Sequence, residues 1–124
     1  NFAEKEGYEK AREMGSDIIS VRQARKIGMK NIAKRIPKGK RLYVTIDIDA
    51  FCPSIAPGTG TPSHGGFLYY EVLELLQSIT VQNSIIGIDI VEVAPDYDPT
   101  DSTAILAAQI LLNFLGFIFS NSSE

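Results

Sequence analysis

Two aspartates, Asp47 and Asp49, stand two apart at the end of the β-rich run YVTIDI at 43–48. On an extended segment, residues at that spacing leave the same side of the chain, so the pair makes a two-carboxylate claw. Two carboxylates crowded together in a half-buried place do not both stay ionised unless a cation compensates them or one takes a proton. A hard divalent metal such as Mn²⁺ or Mg²⁺ is the natural compensator, because oxygen donors suit it. The competing reading is structural: one aspartate caps the following loop while the other faces water.

Glu92 follows a second apolar run, SIIGIDIV at 84–91, and precedes Val93, Ala94 and Pro95. Its carboxylate is expected in the same crevice as the aspartate pair, where a buried acid wants a metal, an Arg or Lys, or a positively charged substrate group. A capping or surface role is the alternative. The segment APGTGTPSHGG at 56–66 is rich in Gly, Pro and Thr, which suits irregular backbone that must satisfy its own turns. It lacks the Lys-Ser/Thr ending of a P-loop and does not fit GxGxxG, because position 63 is Ser. A structural loop shaping a pocket floor is the better reading. His64, the single histidine, is expected to be an exposed polar residue. Cys52, the single cysteine, has no cationic neighbour in sequence and is expected to be a buried, inert thiol.

The elements that must position these residues alternate between helical and strand patterns. The spacing predicts a helix over 2–14 ended by Gly15, a short edge strand at 17–20, and a helix running from an N-cap at Ser20 to about 36, where Pro37 stops it. A buried strand is expected over 42–48, a Pro/Gly-rich loop over 53–66, and then a helix with Val72, Leu73, Leu75, Leu76 and Ile79 inward. A second strand over 84–91 follows, and a last helix begins near Thr100 or Asp101. Alternation of this kind implies an α/β layered domain with a parallel sheet. Ligands in such sheets sit beyond the carboxyl ends of the strands, where Asp47, Asp49, Asp89 and Glu92 are expected to gather.

Composition bounds the rest. The chain has 124 residues, 44% apolar, and 12 Lys+Arg against 15 Asp+Glu, a formal charge of −3. That describes one domain. The basic residues are concentrated between Lys5 and Arg41 and give no extended positive field, so nucleic acid is not expected as a partner. The first residues, NFAEKEGYEKAREMG, contain no apolar core of a secretory signal, and a lone cysteine makes no internal disulfide, so a cytoplasmic location is expected. The chain starts with Asn and not Met, so either its beginning was removed or the sequence is a piece of something longer. The apolar run at 104–119 is interrupted by Gln109 and Asn113 and falls short of the about 20 residues a bilayer requires. A buried helix, or one covered by a partner subunit, is expected there, and no membrane.

Three motifs in order, TIDID at 45–49, APGTGTP at 56–62 with Gly65 and Gly66, and GIDIVEVAP at 87–95, resemble the C-terminal half of a ureohydrolase of the arginase/agmatinase family. The PGTGTP form is closer to agmatinase-like members. The resemblance covers almost the whole chain and implies a three-layer α/β/α fold with a parallel sheet, of which residues 1–124 are the C-terminal part. It implies hydrolysis of a guanidino compound to urea and an amine at a centre of two Mn²⁺ ions. In that family the first aspartate of the pair, matching Asp47, bridges both metals, and the second, matching Asp49, binds one. The acid matching Glu92 holds the substrate's guanidinium, and Thr61 matches a pocket residue near the substrate. A homo-oligomer is also expected.

Three departures qualify the resemblance. Cys52-Pro53 replaces the usual Asp-Pro, Ser63-His64 replaces the Glu after the Gly-Thr pair, and the family's histidine ligands lie upstream of this region. Two aspartates and a distant glutamate are too few donors for a binuclear site, so the isolated chain is expected to bind Mn²⁺ weakly and to hydrolyse nothing. A non-catalytic or degenerate fragment acting as a binding or assembly module is the alternative. A haloacid-dehalogenase-type phosphatase also uses Asp-x-Asp at a strand end, but it wants Thr or Val where this chain has Phe51.

Overall fold

The computed structural model describes residues 4–121. Two strands, β1 (Arg41–Asp47) and β2 (Ser84–Val91), pair in parallel, with Val44 opposite Ile88, Ile46 opposite Ile90 and Asp47 opposite Val91. Parallel pairing demands a long crossover. A loop over 51–68 and the helix Tyr69–Thr80 provide it. In chain order the helices are α1 (Lys5–Glu13), α2 (Val21–Ile27), α3 (Met29–Ala33), α4 (Tyr69–Thr80) and α5 (Ser102–Asn121).

Leu42, Val44 and Ile46 of β1 and Ile85, Ile88 and Ile90 of β2 pack against one apolar cluster. Ala33 of α3, Val72, Leu76 and Ile79 of α4, and Leu106, Ile110 and Phe114 of α5 are buried in it. Fully burying a side chain the size of Phe114 or Ile110 contributes roughly 1.5–3 kcal/mol, which makes this cluster the main source of stability. The alternate residues Tyr43 and Thr45 are exposed, so helices lie over one face of the sheet among the described residues. This is the α/β arrangement with parallel strands that the motifs imply, present as a partial domain. Because the strands run the same way, their carboxyl ends, and therefore Asp47 and Glu92, lie at one edge.

Local signals explain where the expected elements change. The Ser20 hydroxyl accepts from the Gln23 N–H at 3.2 Å and the Gln23 side chain accepts from the Ser20 N–H at 2.9 Å, so α2 starts with the expected capping box. The single helix expected to about residue 36 is instead broken at Gly28, whose φ of 85° lies in the left-handed region, and α3 ends at Ala33. No strand forms at 17–20. Asp17 instead makes a two-point ion pair with Arg35 at 2.8 and 2.9 Å, and among the described residues no strand lies beside it to pair with. The first helix covers Lys5–Glu13 rather than 2–14, and residues 2 and 3 lie outside the described residues.

The last helix begins at Ser102 and runs 20 residues, longer than its apolar run and long enough to cross a bilayer. One side of it, with Thr103, Leu106, Ile110 and Phe114, is packed in the core, and the other is exposed.

Candidate functional site

β1 ends where the backbone tightens into a short 3-10 turn at Ile48–Ala50. The turn is held by Asp47, whose Oδ1 accepts the N–H of Asp49 at 3.1 Å. Asp49 is 6% exposed, and its Oδ2 accepts the Thr61 hydroxyl at 2.8 Å. The structural reading of the pair is thus partly right, since one aspartate does cap the turn, yet neither simply faces water. Burial pushes the Asp47 carboxyl above the usual range; the Asp49 amide opposes this, and the charges of Asp49 and Glu92 push it further up. Negative groups pressed together in this way favour a shared proton or a cation between them.

Glu92 follows β2 with φ 66° and is exposed at the rim of an open cleft of about 390 Å³, bounded by Gly60 and by residues 93–97. Its charge reaches Asp47. Asp89, expected to join the acids at the strand ends, does not. It accepts hydrogen bonds from the hydroxyls of Thr45 and of Tyr43, the latter at 2.7 Å, on the uncovered face of the sheet. These bonds hold its carboxyl below the usual range.

The Gly/Pro loop is structural, as read from the sequence, and the residue that anchors it is one the sequence did not single out. Asp98, 2% exposed, accepts from the N–H of Thr100 and Thr103 and from both their hydroxyls, at 2.6–3.1 Å. These donors, the Thr100 hydroxyl foremost, drive its pKa far below the usual carboxylate range. The Thr103 hydroxyl in turn accepts the Gly58 N–H at 2.8 Å, and the Gly58 carbonyl accepts the Ala94 N–H at 2.8 Å. A Cβ at Gly58 would sit 2.9 Å from Asp98 Cβ and from Thr103 Oγ1, so only glycine allows this approach. The knot ties the loop carrying Thr61 to the segment carrying Glu92. The sequence signal was the DYDPTDST run at 96–103, whose side-chain acceptors suit turns and helix starts.

Cys52 departs from expectation. It is half-buried, and its Sγ lies 3.1 Å from the Ser54 hydroxyl. That hydrogen bond leads in holding its thiol below the usual range, with the Gly65 backbone and the Arg25 charge helping. Arg25 lies far away in sequence. It clamps Glu71 with two bonds of 2.8 and 3.1 Å and donates to the Gly66 carbonyl at 2.8 Å. His64 is exposed, as expected, on the rim of an open cleft of about 360 Å³ that Asp49 also lines.

Residues 2–116 match the arginase family. The chain belongs to the arginase family. It is 40% identical over 103 residues to an agmatinase of Neisseria gonorrhoeae, covering 78% of this chain and 33% of that protein. An agmatinase of Halalkalibacterium halodurans is 46% identical over 83 residues, covering 64% of this chain and 29% of that one. The fold superposes on the proclavaminate amidino hydrolase from Streptomyces clavuligerus with a TM-score of 0.84 at 34% identity, covering 91% of this chain and 38% of that chain. The agmatine ureohydrolase of Thermoplasma volcanium gives a TM-score of 0.86 at 27% identity, covering 99% and 41%. The chain spans about a third of the length of the curated relatives it matches.

Membership in this family raises the question of a divalent metal. Asp47 and Asp49 offer hard oxygen donors whose crowding a cation would relieve, and in donor type they fit. In number they do not suffice: among the described residues no group of three or more His, Cys, Asp or Glu side chains is placed to hold an ion. The chain supplies part of a donor set.

Proposed function

We propose that this chain is the C-terminal part of the catalytic domain of a manganese-dependent ureohydrolase that cleaves a small, agmatine-like guanidino compound to urea and an amine. One observation carries the reading: half-buried Asp47 and buried Asp49 at the end of a parallel strand, with the charges of Asp49 and Glu92 bearing on Asp47. The names of the matched relatives support the substrate class.

In this reading Asp47 and Asp49 hold the metal and Glu92, exposed beside its cleft, takes the guanidinium by charge-assisted hydrogen bonds. Thr61 orients Asp49 by donating to one of its oxygens. The chemistry a bound divalent metal supplies is the activation of water near neutral pH. The remaining donors come from an upstream portion.

Urea release from agmatine tests the proposal, measured with Mn²⁺ on this chain joined behind the upstream part of the Neisseria gonorrhoeae agmatinase. Release that Asp47→Asn or Asp49→Asn lowers by at least ~100-fold is expected, beyond the usual cost of losing an outer-shell partner. A second reading, a chain that binds metal or assembles without turnover, is favoured by the short donor set. It predicts a joined protein that takes up Mn²⁺ yet releases no urea.

A further inference from the structure

We infer that Arg25 is a positioning residue for Asp49: from α2 its guanidinium clamps the neck of the 51–68 loop, and through that neck it sets where Asp49 and Thr61 meet. The inference rests on the reading of Asp49 as a metal ligand proposed above. All three guanidinium nitrogens are engaged at the neck. Nε and one terminal nitrogen grip the Glu71 carboxylate at 2.8 and 3.1 Å, and the same terminal nitrogen donates to the Gly66 carbonyl at 2.8 Å. The other terminal nitrogen reaches the Gly65 carbonyl at 3.5 Å. Glu71 in turn accepts the Leu68 N–H at 2.7 Å, so the stretch 65–68 is held from outside the loop.

The neck leads to Asp49 by two short routes. The Phe67 N–H donates to the Ala50 carbonyl at 2.8 Å and the Cys52 N–H to the Phe67 carbonyl at 2.9 Å, a parallel bridge that zips the neck to the backbone directly after Asp49. Gly66 is buried against that backbone: a Cβ there would stand 2.4 Å from the Phe51 carbonyl carbon and 2.6 Å from the Cys52 nitrogen. Thr61, whose hydroxyl donates to Asp49 Oδ2 at 2.8 Å, lies four residues before Gly65. A displacement of Gly65 and Gly66 therefore reaches Asp49 through its backbone on one side and through its carboxylate on the other.

Two adjacent glycines, the first with φ 81°, set no conformation by themselves, so the path of the neck has to be imposed on it. Arg25 imposes it from a firm support. α2 begins with the Ser20–Gln23 capping box, and Ala24, next to Arg25, is 2% exposed. The task calls for arginine in particular. A planar fork can satisfy a carboxylate with two donors and a carbonyl with a third, whereas the ammonium of lysine pairs with Glu71 as a point charge and does not reproduce that geometry. The Lys variant therefore separates positioning from simple ion pairing between α2 and α4.

Amide chemical shifts and Mn²⁺ calorimetry on the chain test this in Arg25→Gln, Arg25→Lys and Glu71→Gln. Arg35→Gln is the control, because Arg35 makes the same two-point pair with Asp17 away from the loop. We expect the amides of Asp49, Ala50 and Thr61 to move in all three neck variants while those of Leu106 and Ile110 stay. Mn²⁺ affinity should fall by at least ~10-fold, the lower end for losing a group that orients a metal ligand. Arg35→Gln should change neither readout. A folded Arg25→Gln whose Asp49 and Thr61 amides keep their parent positions would overturn the inference. So would an Arg25→Lys that restores both readouts, since ion pairing alone would then suffice, and so would equal effects in Arg35→Gln, which would mark a general loss of stability. Glu71→Gln opens the same clamp from α4 and decides the question if Arg25→Gln does not fold. If the parent chain takes up no Mn²⁺, the metal reading falls, and the amide shifts decide the clamp by themselves.

Discussion

Asp47 is held in a position that costs the metal-free protein stability. Its carboxyl pKa is raised by burial first, and the charges of Asp49 and Glu92 add to this. For an acid whose folded pKa is raised, the favourable contribution is present below its ordinary range and is lost as pH rises through the folded value. At neutral pH the charged Asp47 is therefore a burden, and Asp47→Asn should raise the stability of the metal-free chain. The effect should be on the order of half a kcal/mol, because solvent screens a partly exposed group. Thermal unfolding at pH 7 and again at pH 4 checks it, since the gain should shrink at the lower pH. Thr103→Val acts in the opposite direction: it strips the Gly58 amide and the Asp98 carboxylate of a buried partner. Urea unfolding should show a loss of about 1–3 kcal/mol.

At the scale of elements, the site depends on two loops tied together rather than on either strand. Gly58 bridges Thr103 and Ala94, and Asp98 gathers the start of α5 beneath it. Gly58→Ala should displace the loop and cost roughly 1–3 kcal/mol by overpacking, and amide chemical shifts at Thr61 and Ala94 should move while those of α1 stay. Gly28→Ala should cost ~1–2 kcal/mol through its left-handed backbone, with no effect on Thr61. The strands and α4 were legible because long apolar runs with flanking turn residues leave few alternatives; Ser84–Val91 falls where the pattern placed it. The break at Gly28 was not, since a single glycine in a periodic helix is tolerated as often as it hinges. Asp17 could not be read either: whether it sits in an edge strand or pairs with Arg35 is decided by a tertiary contact. Of the candidate site, Asp47, Asp49 and Thr61 come together as their spacing allows. Asp89 leaves because two hydroxyls of the neighbouring strand, from Tyr43 and Thr45, satisfy it first.

For the whole molecule, the parallel pairing of β1 and β2 decides which acids meet, and the depressed carboxyls decide how the fold meets acid. Asp98 leads, with Glu71 lowered by its hydrogen bond to Arg25 and Asp17 by its hydrogen bond to Arg35. Groups with lowered pKa contribute stability above the ordinary carboxylate range and lose it as pH falls through their folded values. The chain should therefore unfold steeply only below about pH 4, and Asp98→Asn should flatten that acid limb when the midpoint is followed by circular dichroism. The central claim, that Asp47 and Asp49 exist to grip a divalent cation, is tested most directly by titrating this chain with Mn²⁺ calorimetrically, alongside Asp47→Asn and Asp49→Asn. Weak, saturable binding in the parent chain, absent from both variants, is the predicted result. Heat that is identical in all three proteins, or no binding in any of them, would contradict it.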